Sequence, residues 1–211
     1  MEAIRLTLGE LKLTSEVINR LAQLGYTPES LKEAINLQEL ECERESPALY
    51  CGTYGKYNEG NLGGMWVNIS TFDSYDDFIN FCKAIHADEE DPELMYQDFA
   101  NMPDSLYHES MGEKEFNNIA EYCDLCDDYC VSAVYDFLEW FSPEDLDRMD
   151  DAYMGVFDSE EDFARETVND CYDLDKMMGN LAYYFDYEAF ARDLFMGDYH
   201  FGSHGTVFCA F

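Results

Sequence analysis

Three cysteines lie close enough together in the sequence to suggest zinc binding. Cys123 and Cys126 form a Cys-x2-Cys pair, a common half of a zinc site, and Cys130 follows four residues later. A helical period places Cys126 and Cys130 on one apolar stripe, and no second half-site of suitable spacing follows. We therefore predict buried thiols at these positions and no metal or other cofactor for the chain.

Other catalytic or metal-binding patterns are weak. His200 and His204 lie four residues apart, but in a strand and turn region where the helical geometry of a zinc site does not apply. The sequence has no Gly-x-Ser-x-Gly elbow, Walker loop or His-Glu-x-x-His motif, and no EF-hand calcium loop. Carboxylate pairs are too abundant to single out the acid and base of a hydrolase. We therefore predict that the protein is not an enzyme.

The carboxylates themselves are the main chemical feature. Residues 121–175 hold 19 acidic and 2 basic residues, a net charge of −17, within a chain of net charge −34. The chain is nevertheless 47% hydrophobic, which favours a folded protein over a disordered acidic tail. Such a surface repels nucleic acid and anionic membranes and attracts basic proteins. The N-terminal residues do not resemble a signal peptide and no long apolar run follows, so we predict a cytoplasmic protein.

The elements that position these acids can be read from caps and periodicity. In residues 1–48 we predict two helices, 15–24 and one that begins at Thr27-Pro28, forming either a stabilising extension or a small docking module. Residues 49–54, 65–69 and 94–99 predict strands, with a helix capped by Ser74 and an acidic turn at 88–93 between the last two.

Three helices are predicted in the acidic stretch. The first covers 121–139, the second is opened by Ser142-Pro143 and includes Tyr153, and the third is opened by Ser159. Each has apolar residues on one face and acids on the other. Further helices at 177–184 and 186–196 precede a hairpin, whose strands 199–201 and 206–211 are joined by Gly202-Ser203-His204-Gly205.

The amount of charge can be compared with that of DNA. Residues 49–211 carry 37 acidic and 7 basic residues, a net charge of −30. B-form DNA has two phosphate charges per base pair, so this charge equals that of about 15 base pairs. A groove that neutralises phosphates could accept such a surface. Composition alone leaves two interpretations open, a DNA-like surface and a merely acidic, soluble protein.

Five collinear segments resemble the ArdA family of antirestriction proteins. They are residues 50–60 (YCGTYGKYNEG), 63–66 (GGMW), 86–93 (HADEEDPE), 96–99 (YQDF) and 186–194 (DYEAFARDL). The resemblance covers residues 49–211, and residues 1–48 have no counterpart in it. It implies an α+β protein, an elongated and acidic DNA-mimic rod of small α/β and helical subdomains that forms a homodimer. We accordingly divide the chain at 1–48, 49–110, 111–156 and 157–211.

The resemblance also implies a function and a partner. Proteins of this family occupy the DNA-binding groove of type I restriction-modification enzymes, at the methyltransferase core, and so protect incoming mobile DNA. The alternative is an acidic adaptor that binds a basic protein without imitating DNA. The family's contacts do not transfer residue by residue, so the candidate carboxylates come from helical phase and from the acidic turn. They are Asp88, Glu89, Glu90, Asp91, Glu121, Asp124, Asp128, Glu139, Glu144, Asp147, Asp150, Asp151, Asp162, Glu166, Asp170 and Asp173.

Overall fold

The computed structural model describes residues 3–6, 9–42 and 46–211 and separates into two compact units. Unit 1 is Met1–Asp124 and unit 2 is Leu125–Phe211. The described residues form ten α-helices and eight strands, which confirms the α+β class. None of these helices is long and apolar enough to cross a membrane. The fourfold division of the chain and its elongated form stay predictions.

The elements follow one another without long irregular segments. The strands are β1 (Ala3–Leu6), β2 (Gly9–Lys12), β3 (Ala48–Thr53), β4 (Met65–Asn68), β5 (Leu94–Ala100), β6 (Tyr153–Val156), β7 (Tyr199–Phe201) and β8 (Thr206–Cys209). The α-helices are α1 (Ser15–Gln23), α2 (Pro28–Cys42), α3 (Tyr54–Asn58), α4 (Tyr75–Ala84), α5 (Glu113–Asp128), α6 (Val131–Trp140), α7 (Met149–Ala152), α8 (Glu160–Cys171), α9 (Leu174–Met178) and α10 (Tyr187–Leu194). Four 3-10 helices cover Ile69–Thr71, Asp104–Leu106, Pro143–Arg148 and Gly179–Tyr184.

Unit 1 is built on an antiparallel sheet of order β4-β3-β5. Helix α4 begins where predicted, because the Ser74 hydroxyl accepts a hydrogen bond from the Asp77 backbone N–H at 3.2 Å. Its predicted apolar face is fully buried, and Phe78 stacks on Tyr96 of β5 with ring centroids 5.8 Å apart. The three strands and the helix predicted for this region are confirmed.

The N-terminal region belongs to the core of unit 1. Both predicted helices are present, with Leu21 of α1 and with Leu31 and Ile35 of α2 buried. Leu40, near the end of α2, is 61% exposed. The hairpin formed by β1 and β2 was not predicted, because its short strands lack a clear alternation of apolar and polar residues.

One buried glutamine joins this region to the sheet. Gln38 of α2 accepts a hydrogen bond from the backbone N–H of Asn68 at 2.7 Å and donates one to the Thr71 hydroxyl at 2.6 Å. Asn68 is the last residue of β4, which is an edge strand. The Gln38 side chain therefore accepts from a backbone N–H that faces no neighbouring strand. Gln38 is only 2% exposed, and water cannot readily replace it.

We expect Gln38→Ala to lower the free energy of unfolding by about 1–3 kcal/mol, because the Asn68 N–H then stays buried without an acceptor. Urea unfolding measures this difference. The matched control is Asn36→Ala on the exposed side of the same helix, for which we expect a change within about 0.5 kcal/mol. Equal effects of the two substitutions would contradict the role assigned to Gln38.

Unit 2 contains a second antiparallel sheet, of order β6-β8-β7. Helix α6 packs on its central strand through Phe137, whose ring lies 5.4 Å from that of Phe208. Helices α8 and α10 pack together, and Phe163 contacts Phe195 at the end of α10 with ring centroids 5.6 Å apart. The predicted C-terminal hairpin is confirmed as β7 and β8.

The prediction of one helix over 121–139 is wrong. Helix α5 ends at Asp128 and α6 begins at Val131, with Cys130 extended between them at φ −66° and ψ 141°. A distant part of the chain makes contacts at this break. The Tyr129 hydroxyl donates to Asp150 at 2.6 Å, and its ring contacts that of Tyr153 at 4.9 Å. The Tyr129 backbone N–H still donates to the Leu125 carbonyl oxygen at 2.7 Å, so Tyr129 closes α5 and the chain leaves the helix at Cys130.

The second acidic helix is also shorter than predicted. Ser142 caps it as expected, exchanging hydrogen bonds with Asp145, but its first part, Pro143–Arg148, is a 3-10 helix. Helix α7 then ends at Ala152, and Tyr153, expected on the helix, begins β6. The pairing of β6 with β8 decides this, since Tyr153 lies opposite Phe208 in the ladder.

Candidate acidic interaction surface

The acids of unit 2 lie on short elements around its sheet. Residues 125–211 hold 21 acidic and 4 basic residues, a net charge of −17. The predicted carboxylates of this unit lie on α5, α6, α8, the 3-10 helix Pro143–Arg148, α7 and the start of α9. We call their exposed members the acidic surface. They are Asp128, Glu139, Glu144, Asp147, Asp150, Asp151, Asp162, Glu166, Asp170 and Asp173.

The remaining candidates belong to unit 1. Asp124, the last residue of unit 1, is exposed, and Glu121 on the same helix is half-buried. Asp88, Glu89, Glu90 and Asp91 follow α4 in a turn that we call the acidic loop, residues 86–93. Three of these four carboxylates are exposed and Glu89 is half-buried. The exposed carboxylates among them are accessible to a partner.

Several of these carboxylates also stabilise local structure. Ser159 caps α8 and donates to Asp162 at 2.8 Å, and Asp173 caps α9 by accepting from the Lys176 N–H at 3.1 Å. Glu144 accepts from Ser142 at 2.7 Å. The hydrogen bond that Asp150 accepts raises the pKa of Tyr129 to about 12. These acids are therefore constrained by folding as well as available on the surface.

A second group has no such local role. Within the described residues, no side-chain hydrogen bond or ion pair is made by Glu90, Asp91, Asp124, Asp128, Asp147, Asp151, Glu166 or Asp170. Their charge is thus not neutralised by a described neighbour. Acids three or four residues apart on a helix lie about 5–6 Å from one another. The group can present closely spaced negative charge to a partner.

Three of the four basic residues of unit 2 are arginines whose charge is held by neighbours, and the fourth is Lys176. The Arg148 guanidinium lies 3.3 Å from the ring centroid of Phe211. Arg165 pairs with Glu161 on α8 and lies 4.2 Å from the Tyr187 ring centroid. Arg192 pairs with Glu188 on α10 at 3.4 Å. Each of these three guanidinium groups is engaged within its own unit.

In the acidic loop, one lysine serves as a counterion. Lys56 Nζ lies 2.9 Å from Asp88 Oδ1, 3.6 Å from Glu89 Oε1 and 2.9 Å from His86 Nδ1. His86 is 1% exposed, and its Nε2 lies 3.2 Å from the Cys51 carbonyl oxygen. Since Lys56 donates to Nδ1, the tautomer that satisfies both contacts carries its proton on Nε2.

The same side chains have the donor types of a metal site. Ligand atoms of His86, Asp88 and Glu89 lie within 4.8 Å of one another. The Lys56 ammonium lies among them, however, and supplies the positive charge that a metal ion would bring. The geometry therefore describes a partly buried lysine that bridges His86 and two carboxylates, and the lysine accounts for the cluster.

Asp136 is a carboxylate that the sequence reasoning missed. It is fully buried on α6, where it accepts hydrogen bonds from the backbone N–H groups of His204, at 2.9 Å, and Thr206, at 3.1 Å. His204 Nδ1 lies 2.7 Å from the same carboxylate. Burial alone would raise the pKa of Asp136, but these hydrogen bonds outweigh it and the pKa lies below the usual aspartate value.

Asp136 fixes the turn between β7 and β8. A Cβ at Gly202 would lie 2.3 Å from the Asp136 side chain, so only glycine allows this approach. Glu139, one helical turn later, accepts hydrogen bonds from Ser203 N at 3.0 Å and Ser203 Oγ at 2.6 Å. A signal was present in the sequence, because Asp136 follows buried Ala133 by three residues and therefore lies on the inward face.

The prediction of buried thiols is wrong for Cys130, and Cys123 and Cys126 are only half-buried. Cys51 and Cys82 are buried in unit 1, and burial raises the pKa of the Cys82 thiol well above its usual value. Cys130 and Cys171 are exposed. Cys130 is exposed because it lies in the break between α5 and α6, outside the predicted helical stripe.

Comparison with known proteins gives one family. The sequence model of the antirestriction protein (ArdA) family matches residues 49–208, about three quarters of the chain. The match begins at β3 and leaves the region of α1 and α2 outside. No curated protein matches the chain.

Proposed function

The chain belongs to the ArdA antirestriction family, and from this premise we propose that it imitates B-form DNA. In this proposal it occupies the DNA-binding groove of a type I restriction-modification enzyme, at the methyltransferase core. Family membership itself implies an antirestriction function and no catalysis. The imitation of DNA, the occupied groove and the type of restriction enzyme are our proposal.

The observation that supports mimicry is the group of exposed carboxylates without a described partner. Unit 2 alone has a net charge of −17, equal to the phosphate charge of about 8 base pairs. The three arginines of unit 2 are engaged with neighbours of their own unit, which leaves Lys176 as its one described basic side chain without a described partner, against 21 acidic residues. Such a field attracts a basic groove over distances of about 10 Å at moderate salt.

The same charge makes other partners unfavourable. A surface of this sign repels nucleic acid and anionic lipid, so we propose a protein partner alone. The site of action is then the cytoplasm, where restriction enzymes meet incoming mobile DNA. We also propose a homodimer. Its support is a run of exposed apolar side chains in unit 2, from Met177 (68% exposed) to Tyr184 (83% exposed), which an isolated protomer would leave in water.

Displacement of DNA is the direct test of the proposed function. A labelled duplex that carries the target sequence is bound to a type I methyltransferase, and the purified protein is added in increasing amounts. We expect stoichiometric displacement at about 50 mM salt, and inhibition at least about tenfold weaker at 200 mM, because ionic contacts are screened. A duplex that stays bound in excess protein at low salt would overturn mimicry for that enzyme.

The alternative of an acidic adaptor makes a different prediction in the same experiment. An adaptor would bind the enzyme without releasing the duplex, and a ternary complex would appear. The distinction therefore depends on competition and not on binding alone. A neutral polymer of similar size serves as the control for crowding effects.

A further inference from the structure

The region outside the family match is a fixed part of unit 1. Residues of α1 and α2 are buried against it, and Gln38 is hydrogen-bonded to the end of β4. A tethered docking module would lack such contacts. The region can therefore act on its neighbours through defined geometry, and the neighbour of interest is the acidic loop.

One arginine of α1 reaches this loop directly. Arg20 lies in the last turn of α1, and its Nη1 donates to the backbone carbonyl oxygens of Ala87, at 2.8 Å, and Asp88, at 3.3 Å. Charged donors form stronger hydrogen bonds to carbonyls than neutral ones do. Arg20 and Lys83 also line one small cavity with Glu90 and Asp91. The cations thus face the loop from the side of α1 and α4.

The loop is held on another side by Lys56, which pairs with the Asp88 carboxylate. Its ends are fixed by the hydrogen bonds from Glu89 N to His86 O, at 3.0 Å, and from Tyr54 N to Glu93 O, at 3.0 Å. Four consecutive acids repel one another, and this repulsion favours an extended, mobile segment. Contacts to the backbone oppose that opening without covering the exposed carboxylates of Glu90 and Asp91.

We infer that Arg20 is a positioning residue for the proposed DNA-mimic function. It fixes the backbone of the acidic loop so that Glu90 and Asp91 meet a basic groove in one arrangement, and their binding does not require ordering of the loop. The residue lies outside the part of the chain that the family match covers. This inference rests on the proposed function and adds the role of the N-terminal region to it.

The direction in which inhibition changes on removing Arg20 separates a positioning role from a simple effect of charge. Removing Arg20 makes the protein more negative, so a charge effect alone would leave inhibition unchanged or strengthen it. A positioning role predicts weaker inhibition. Arg20→Gln is the test, and Arg192→Gln is the charge-matched control, since Arg192 is exposed and pairs only with Glu188 on its own helix among the described residues.

We expect Arg20→Gln to inhibit about three- to tenfold less well, an effect of the size that one hydrogen bond of ordinary net strength contributes. Arg192→Gln should inhibit as the wild type does or slightly better. Arg20→Lys, which keeps the charge and a donor, should recover part of the loss. Thermal melting of every variant corrects inhibition for the folded fraction, and Arg20→Lys carries the test if Arg20→Gln does not fold.

Hydrogen exchange supplies a readout that does not depend on the enzyme. In Arg20→Gln we expect faster exchange of the amides of residues 86–93 and unchanged exchange in β8. Equal inhibition by Arg20→Gln and wild type would overturn the positioning role, and so would unchanged exchange in the loop. A wild type that displaces no duplex would overturn the proposed function instead, while exchange would still report whether Arg20 holds the loop.

Discussion

Replacing Asp136 with alanine is expected to lower the free energy of unfolding by about 3–5 kcal/mol. The substitution leaves the backbone N–H groups of His204 and Thr206 without the acceptor that they have in the folded protein. It also removes the contact that holds the turn after β7, at a glycine that approaches this side chain closely. Chemical unfolding followed by circular dichroism measures the loss.

A matched substitution distinguishes this role from the general effect of removing an acid. Asp147→Ala removes an exposed carboxylate of the same unit that has no hydrogen bond to another described residue. We expect it to change stability by less than about 0.5 kcal/mol, or to stabilise the protein by reducing repulsion. If both substitutions destabilised the protein equally, the hydrogen bonds of Asp136 would not be the cause.

The free energy of unfolding that is lost in Asp136→Ala should depend on pH. Because folding lowers the pKa of Asp136, the folded protein binds fewer protons than the unfolded chain in acid, and stability rises with pH. The contribution is complete above the ordinary aspartate pKa and is lost as the pH falls through the lower value of the folded state. The difference between wild type and Asp136→Ala should therefore be smaller at about pH 3 than at pH 7. A difference independent of pH would contradict this account.

The largest expected effect on inhibition comes from neutralising several unpartnered acids together. The variant combines Asp147→Asn, Asp151→Asn, Glu166→Gln and Asp170→Asn. We expect inhibition to weaken on the order of 100-fold, whereas any one of these changes should weaken it less than about threefold, because each ion pair contributes little alone. The displacement experiment at low salt measures both. Catalysis by one essential acid would instead give a large loss from a single substitution.

A second fourfold variant tests whether position matters beyond net charge. Glu16, Glu29, Glu33 and Glu39 are exposed acids of the N-terminal region, and their replacement by glutamine changes the net charge by the same amount. We expect this variant to inhibit nearly as well as the wild type. Equal losses in the two variants would show that total charge alone determines inhibition, which is the behaviour of an acidic adaptor.

The features that could be predicted from the sequence are the local ones. The caps at Ser74, Ser142 and Ser159 mark helix starts because a hydroxyl followed by an acid three residues later satisfies the first N–H groups locally. The C-terminal hairpin was likewise predictable from its turn residues. These signals depend on neighbours within four residues, so one sequence is sufficient to read them.

The features that were missed depend on residues far apart in the chain. The break before α6 lies beside the hydrogen bond from Tyr129 to Asp150, and β6 exists because β8 pairs with it. The loop contact of Arg20 joins residues 67 positions apart. Of the candidate surface, helical phase could predict exposure, but it could not show that Asp150 accepts from Tyr129 or that Asp88 binds a lysine.

The acids that cap helices have a consequence for how such a chain can diverge. Asp145 and Asp162 are required by the folding of their own helices, so selection for stability would retain them in a descendant that had lost its partner. Asp147, Glu166 and Asp170 carry no such requirement and would drift to neutral residues once binding ceased. Related proteins that keep Asp145 and Asp162 but have lost the acids at positions 147, 166 and 170 would therefore be those that no longer bind the original partner.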